Sequence, residues 1–396
     1  MKHCLDDLAL FGGPPCFSEP LHVGRPNLLK PHQLRTRIDE ILDRRWFTNN
    51  GPYVEEFEQR IVQHLGVSHC VAVCSGTVAL QILIRALELT GEVIVPSFTF
   101  VATAHALKWQ GLTPVFCDID PGTHNLDPDR IRSHITSRTS AILGVHLWGR
   151  PCDVDALGQL GEQYGLEVLF DAAHAFGCSY GGRMIGSNGR AEVFSFHATK
   201  FVNAIEGGAI TTNDAELAGR LRLMRNFGFS GYDQVESVGT NGKMNEFSAA
   251  MGLTCLDSLD AILEINRRND RLYRDCLSDV PSLSSIEYPK TERQNRQYVV
   301  LEVDPDAAGL SRDQLLKLLT AENVLARRYF YPGCHRMEPY RSLYPDAGRS
   351  LRVTEALADR VLLLPTGTSI GDDQIEIVGQ ILSFCIDHAV EIRRLL

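Results

Sequence analysis

The sequence predicts an α/β protein, in which a mostly parallel sheet lies between helices and a smaller α/β lobe follows. Three observations carry that expectation. From about residue 69 short apolar runs alternate with amphipathic helical stretches. Most of the runs are continuously apolar rather than alternating, as strands covered on both faces must be. Near residue 245 the rhythm changes to long helical stretches with few strands.

The strand runs fall at residues 69–74, 92–96, 114–118, 141–146, 166–170, 191–196 and 208–212, which gives a seven-stranded sheet. Between them, residues 77–89 place Leu80, Leu83, Ile84 and Leu87 at helical spacing. Residues 153–164 open on an Asp suited to a helix N-cap. Beyond residue 245 the pattern reads as one long helical stretch from 246 to about 278 and a strand at 297–303. A helix near 312–322, a Tyr/Pro/Gly loop at 329–339 and a final helix from about 372 complete it. The chain is therefore divided into a large domain, 1–255, and a small C-terminal domain, 256–396. The arm before about residue 30 is free to pack on either.

Composition narrows the function classes. Of 396 residues, 44% are apolar and 22% charged, which excludes a disordered or collagen-like chain. A net charge of −10 argues against nucleic acid or an anionic membrane as partner. No apolar run is long enough to span a bilayer. Residues 1–20 lack the basic start and apolar core of a secretory leader. The 11 cysteines are dispersed without a C-x-x-C pair, so no disulfide framework or zinc site is expected, nor any other metal. A reducing, cytoplasmic setting is expected.

In open parallel sheets, ligands sit beyond the carboxyl ends of the strands, and three constellations lie there. Ser75-Gly76-Thr77 joins the first strand to its helix. It offers hydroxyls, a flexible turn and free helix-start N–H groups, suited to a phosphate or to a simple helix cap. Asp171, with His174 close behind, ends the strand 166–170 in apolar surroundings, where a carboxylate needs a cationic partner or a structural ion pair. Lys200, in Phe194-Ser195-Phe196-His197-Ala198-Thr199-Lys200, follows another strand among small and apolar residues. It is either an ordinary surface lysine or a desolvated amine ready to bond a carbonyl. Glu206-Gly207-Gly208 then lets backbone pass close to whatever occupies the site. A carbonyl-trapping lysine, a carboxylate for a pyridinium nitrogen and a phosphate cradle together match the needs of pyridoxal 5'-phosphate.

With these residues in view, the sequence resembles the DegT/DnrJ/EryC1/StrS sugar aminotransferases over about residues 23–380. The resemblance rests on TNNGPYVEEFE at 48–58, SGTVAL at 75–80, VIVPSFTFVATAHA at 93–106 and PVFCDID at 114–120. It continues through DAAHAFG from 171, GGRMIGSNG at 181–189, VFSFHATK at 193–200, EGGAITTND at 206–214 and GTNGKMNEFSAAMGL at 239–253. The resemblance implies the type I fold of pyridoxal phosphate-dependent transferases. It implies that Lys200 bonds the cofactor aldehyde, that Asp171 pairs with the ring nitrogen, and that Phe100 stacks on the ring. Gly76, Thr77 and Ser195 would hold the phosphate, completed by Asn241 from a neighbouring subunit, which implies a homodimer with shared sites. His174 stands where the family has glutamine and would bond the phenolic oxygen. Thr240 replaces a common aromatic, Lys243 a common arginine and Phe227 a frequent histidine. These departures bear on which sugar is used.

The implied activity moves an amino group from L-glutamate to a nucleotide-linked keto-sugar. The expected acceptor is a dTDP-4-keto-6-deoxyhexose, giving a 4-amino-4,6-dideoxy sugar. Thr48, Lys243, Tyr331 and His335 are the candidate sugar-nucleotide contacts; a turn residue, a solvated lysine and lobe packing are their ordinary alternatives. Amination at C3 is the alternative chemistry. A sugar dehydratase of the same fold is disfavoured because its lysine is replaced by histidine. A non-catalytic regulator is disfavoured by the intact Asp171/Lys200 pair.

Overall fold

The computed structural model describes residues 2–396. Seven strands form the main sheet: β1 (His69–Val73), β2 (Glu92–Pro96), β3 (Thr113–Cys117), β4 (Thr139–Val145), β5 (Glu167–Asp171), β6 (Ala191–Ser195) and β7 (Gly208–Thr212). All seven expected strands are present, with ends shifted by at most two residues. Their spatial order is β1-β7-β6-β5-β4-β2-β3. Only β7 runs against its neighbours; every other pairing is parallel. Val and Ile dominate these strands, and β2 and β7 are buried along their whole length, as a sheet covered on both faces requires. β3 lies on one side of β2 and β4 on the other. That reversal opens a crevice beyond the carboxyl ends of the strands.

The covering helices include α1 (Pro31–Arg44), α2 (Pro52–Leu65), α3 (Gly76–Ala86), α4 (Ala102–Trp109) and α5 (Val154–Tyr164). Asp153 caps α5, its carboxylate accepting the Ala156 N–H at 3.0 Å. α1 and α2 begin with proline in the first turn, where the missing N–H costs nothing.

The stretch expected as one helix is two, α6 (Glu246–Leu256) and α7 (Leu259–Cys276). The break falls at Asp257, whose carboxylate takes hydrogen bonds from Arg37 at 2.7 Å and Arg60 at 3.1 Å. Those two cations hold the junction against α1 and α2. The start of α7 (Leu259, Ile262, Leu263) packs into the large core, whereas Tyr273 near its end belongs to the C-terminal core.

The C-terminal lobe is a three-stranded antiparallel sheet of β8 (Leu283–Ser285), β9 (Val299–Val303) and β10 (Val361–Leu364), packed by α8 (Arg312–Ala321) and α9 (Asp372–Asp387). The N-terminal arm joins this lobe. Leu8, Phe17 and Leu21 enter its core, and Leu21–His22 pairs in parallel with Val324–Leu325. The buried carboxylate of Glu322 fastens the arm by accepting the N–H groups of Ala9 at 2.7 Å and Cys16 at 2.8 Å.

An aromatic cluster joins the two lobes: Phe98 and Trp148 from the large sheet meet Tyr298, Tyr329 and Phe330 from the C-terminal lobe. The site described next lies against it.

Candidate active site

A cavity of about 410 Å³ opens at the carboxyl ends of the strands. Asp171 is the last residue of β5, so the backbone ladder fixes its Cα. Its carboxylate is buried and has two donors. Thr103 Oγ1–H reaches Oδ2 at 2.9 Å, and the Ala173 N–H reaches Oδ1 at 3.1 Å. Burial pushes the acid's pKa up, while those donors and the charge of Lys200 oppose the rise.

Lys200 follows β6 on a turn closed by its own N–H donating to the His197 carbonyl at 2.8 Å. Its side chain lines the same cavity. Burial lowers its pKa to about 8, only partly offset by the charge of Asp171. A lysine so desolvated is partly uncharged near neutral pH, the form that attacks a carbonyl.

His174 is buried in the cavity wall. Its Nδ1 accepts the Trp148 backbone N–H at 3.3 Å, and burial with the nearby Lys200 holds its pKa well below the ordinary value. The ring is therefore neutral and carries its proton on Nε2, which makes it a donor as an amide NH₂ is. It is stacked with Trp148 and Phe330, at centroid distances of 6.0 and 5.9 Å.

Ser75 caps α3, its Oγ accepting the Val78 N–H at 3.2 Å. The helix-cap reading thus holds for Ser75, while the first-turn N–H groups of Gly76 and Thr77 stay unbonded within the helix and line the cavity beside Ser195. The packing there demands glycine. A Cβ on Gly76 would lie 2.9 Å from Ser195 Cβ, and one on Gly208 would lie 2.6 Å from the Gly76 nitrogen. Phe100 is 57% exposed and lines both the cavity and the adjoining groove, whereas Phe98 at 1% is core.

The other candidates are placed elsewhere. Tyr331 lies in an adjoining groove that shares Phe100, Arg327, Tyr329 and Phe330 with the cavity. Its ring lies under the Arg328 guanidinium at 4.2 Å. Thr48 and Asn241 are exposed and outside the cavity. Lys243 also lies outside it, its ammonium 4.6 Å from the centre of the Phe227 ring. The structure does not bring His335 to the cavity. The residue is buried, its Nδ1 pairs with Ser97 Oγ at 2.8 Å and its Nε2 with Glu355 at 3.1 Å. It packs the C-terminal lobe against the end of β2.

Sequence reasoning misses Tyr298, Arg327, Tyr329 and Phe330, which line the cavity, and Thr103 and Trp148, which contact Asp171 and His174. Trp148 and Thr103 act through backbone or hydroxyl contacts that leave no spacing signature. Tyr329 and Phe330 stand in the aromatic loop 329–339, in which only Tyr331 and His335 are candidates, and Arg327 lies just before it.

The residues fit one organic group. Free helix-start N–H groups and a serine hydroxyl suit a phosphate, a buried carboxylate suits a ring N–H⁺, and a desolvated lysine suits an aldehyde. Among the described residues no cluster of His, Cys, Asp and Glu is arranged to hold a metal ion. Fold and site together define a type I pyridoxal phosphate-dependent transferase.

Comparison with known proteins gives the family. The sequence matches the DegT/DnrJ/EryC1/StrS aminotransferase family over residues 31–383. It is 36% identical over 362 residues to the dTDP-4-amino-4,6-dideoxy-D-glucose transaminase of Escherichia coli, covering 91% of this chain and 97% of that protein. It is 35% identical over 348 residues to the GDP-perosamine synthase of Caulobacter vibrioides, covering 86% and 92%. The crystal structure of DesI in the presence of its TDP-sugar product superposes with a TM-score of 0.95 at 52% identity, covering 99% of each chain. The chain belongs to the DegT/DnrJ/EryC1/StrS aminotransferase family and is a transaminase.

Proposed function

We propose that this transaminase moves an amino group from L-glutamate to C4 of a dTDP-linked 4-keto-6-deoxyhexose, giving a 4-amino-4,6-dideoxy sugar. The observation that carries the reading is the facing pair of Asp171 and Lys200 in a cavity with a phosphate cradle at its edge. The C4 position and the dTDP carrier are supported by the name of the Escherichia coli relative.

Pyridoxal phosphate, when bound, supplies an aldehyde carbon and a ring that accepts an electron pair. With the cofactor bound, Lys200 Nζ would be the group that holds its aldehyde carbon, and would be free to move protons once the amino donor takes that place. With a pKa of about 8, roughly one lysine in ten is uncharged at pH 7. The freed Nζ takes the Cα proton of glutamate in the first half of the cycle. In the second half it gives a proton to the sugar carbon that becomes C–N. Asp171, kept ionised by Thr103 and Ala173, holds the ring-nitrogen proton in place. His174 Nε2–H would donate to the phenolic oxygen, and Phe100 would cover one face of the ring. Gly76, Thr77 and Ser195 fix the phosphate.

The working unit in this reading is a homodimer. Asn241 and Lys243 lie outside their own chain's cavity, and the nearby segment exposes Phe227, Phe229, Tyr232, Val235 and Val238. An apolar group of that size calls for a cover. A second copy would bury it and carry Asn241, Lys243 and Thr48 toward the neighbouring cavity, with Tyr331 contributed in cis. The two domains, 1–255 and 256–396, then act as cofactor platform and lid-side wall, the arm belonging with the latter. A cytoplasmic location agrees with 11 cysteines, all unpaired. No helix among the described residues is long and apolar enough to cross a membrane.

The test is a two-substrate assay of 2-oxoglutarate release from glutamate in the presence of a dTDP-4-keto-6-deoxyhexose. Lys200→Ala is expected to lose both the borohydride-reducible cofactor linkage and turnover, by at least about a thousandfold. Undiminished turnover in that variant would remove Lys200 from the mechanism.

A further inference from the structure

We propose that Thr103, backed by Thr99, is a positioning residue that holds Asp171 as an oriented, ionised carboxylate. The proposal rests on the reading that Asp171 pairs with the cofactor ring.

A threonine hydroxyl has a single proton. Thr103 Oγ1 lies 2.9 Å from Asp171 Oδ2 and 3.1 Å from Thr99 Oγ1. An ionised carboxylate only accepts, so the Thr103 proton points to Asp171. The contact with Thr99 must then run the other way, with Thr99 O–H donating to Thr103. Thr99 and Thr103 are both buried, so no bulk water competes for either oxygen. The result is an ordered relay, Thr99 to Thr103 to Asp171, that removes the rotational freedom of the middle hydroxyl. With the Ala173 N–H on Oδ1, each carboxylate oxygen has one fixed donor and keeps a lone pair for a group in the cavity.

The relay is itself held from the C-terminal lobe. The Cys334 thiol donates to the Thr99 carbonyl at 3.3 Å, and the Cys334 N–H to the Ser97 carbonyl at 2.9 Å. His335 bonds Ser97 on both its ring and its backbone N–H. The segment from Ser97 to Thr103, which also carries Phe100, is therefore clamped between the lobes. The charged and titratable groups facing Asp171 are Lys200, from the turn after β6, and His146, from the end of β4. His174 lines the same cavity. The Nδ1 of His146 accepts the Cys152 N–H at 2.9 Å and its Nε2 lies 3.3 Å from Glu192 Oε2, so both ring nitrogens are engaged away from Asp171 and the ring acts on it only through charge.

The experiment follows cofactor affinity and the absorbance of the bound cofactor against pH, in wild type, Thr103→Val and Thr103→Ser. Valine keeps the shape and removes the donor. Protonation of Asp171 weakens its grip on the ring, so affinity falls on the acid side. In Thr103→Val that acid limb is expected to move to higher pH by about one to two units, the worth of a hydrogen bond to a charged group. Thr103→Ser is expected to restore the wild-type position. An unmoved limb in a folded Thr103→Val, or an equal shift in the serine variant, overturns the proposal. If Thr103→Val does not fold, Thr99→Val serves instead: a smaller shift of the same sign supports the relay, and none refutes it. Wild type that binds no cofactor would overturn the underlying reading; wild type that binds it while the variants behave alike overturns the relay alone.

Discussion

In the proposed mechanism Lys200 carries its chemistry because burial removes the solvation that would keep it charged, and Asp171 only partly replaces that solvation. The sign follows directly. With its pKa lowered to about 8, the amine loses its proton well before an ordinary lysine does. Attachment of an aldehyde by the cofactor-free enzyme is therefore expected to accelerate through a midpoint near pH 8; a stopped-flow pH series that rises only near 10.5 would contradict the environment described here. Lys200 and Asp171 were readable in the sequence because both sit at the ends of apolar strands, where a charged residue is out of place unless it has work to do. His335 was not readable. A histidine beside Gly and Pro in an aromatic loop looks the same whether it meets a ligand or, as found, a serine and a glutamate. Thr103 and Trp148 were hidden for a related reason, since they act through a hydroxyl and a backbone N–H that any sequence contains.

At the level of elements, the proposed phosphate cradle depends on how closely α3 meets β6 and β7. Gly208→Ala places a Cβ 2.6 Å from the Gly76 nitrogen, a contact that backbone must move to relieve. The variant is expected to lose about 1–3 kcal/mol of stability and to bind cofactor less tightly, measured as a lower Tm and a raised Kd. An unchanged Kd would show that the helix start does not hold the phosphate. The seven strands were legible because both faces are buried and their apolar runs are continuous. α2 could have been read from the stripe Tyr53, Val54, Phe57, Ile61 and Leu65 behind a first-turn proline. α1 could have been read too, from Leu34, Ile38 and Ile41 at helical spacing, although only Ile41 is fully buried. The break between α6 and α7 was invisible locally, since Arg37 and Arg60, which hold Asp257, come from about 200 residues away.

For the whole molecule, the proposed catalytic groups Asp171 and Lys200 lie with the large sheet, and the aromatic wall beside them is shared, Phe98 and Trp148 meeting Tyr298 and Phe330 of the smaller lobe. The N-terminal arm, undecided in the sequence, is captured by Glu322, a buried carboxylate that its local context does not distinguish from any surface glutamate. The exposed aromatic segment around Phe229 and Tyr232 gives the proposed dimer a direct check. Tyr232→Glu is expected to shift the chain toward monomer in sedimentation and to lower turnover with it, because Asn241 and Lys243 then leave the neighbouring site. A monomeric wild type with full activity would show that each cavity is complete on its own.

The central claim, amino transfer to C4 of a nucleotide-linked keto-sugar, is met most directly by NMR of the product formed from glutamate and dTDP-4-keto-6-deoxyglucose. Nitrogen on C4 is expected, with one 2-oxoglutarate released per sugar. Nitrogen on C3, or no amination of any nucleotide keto-sugar offered, would contradict it.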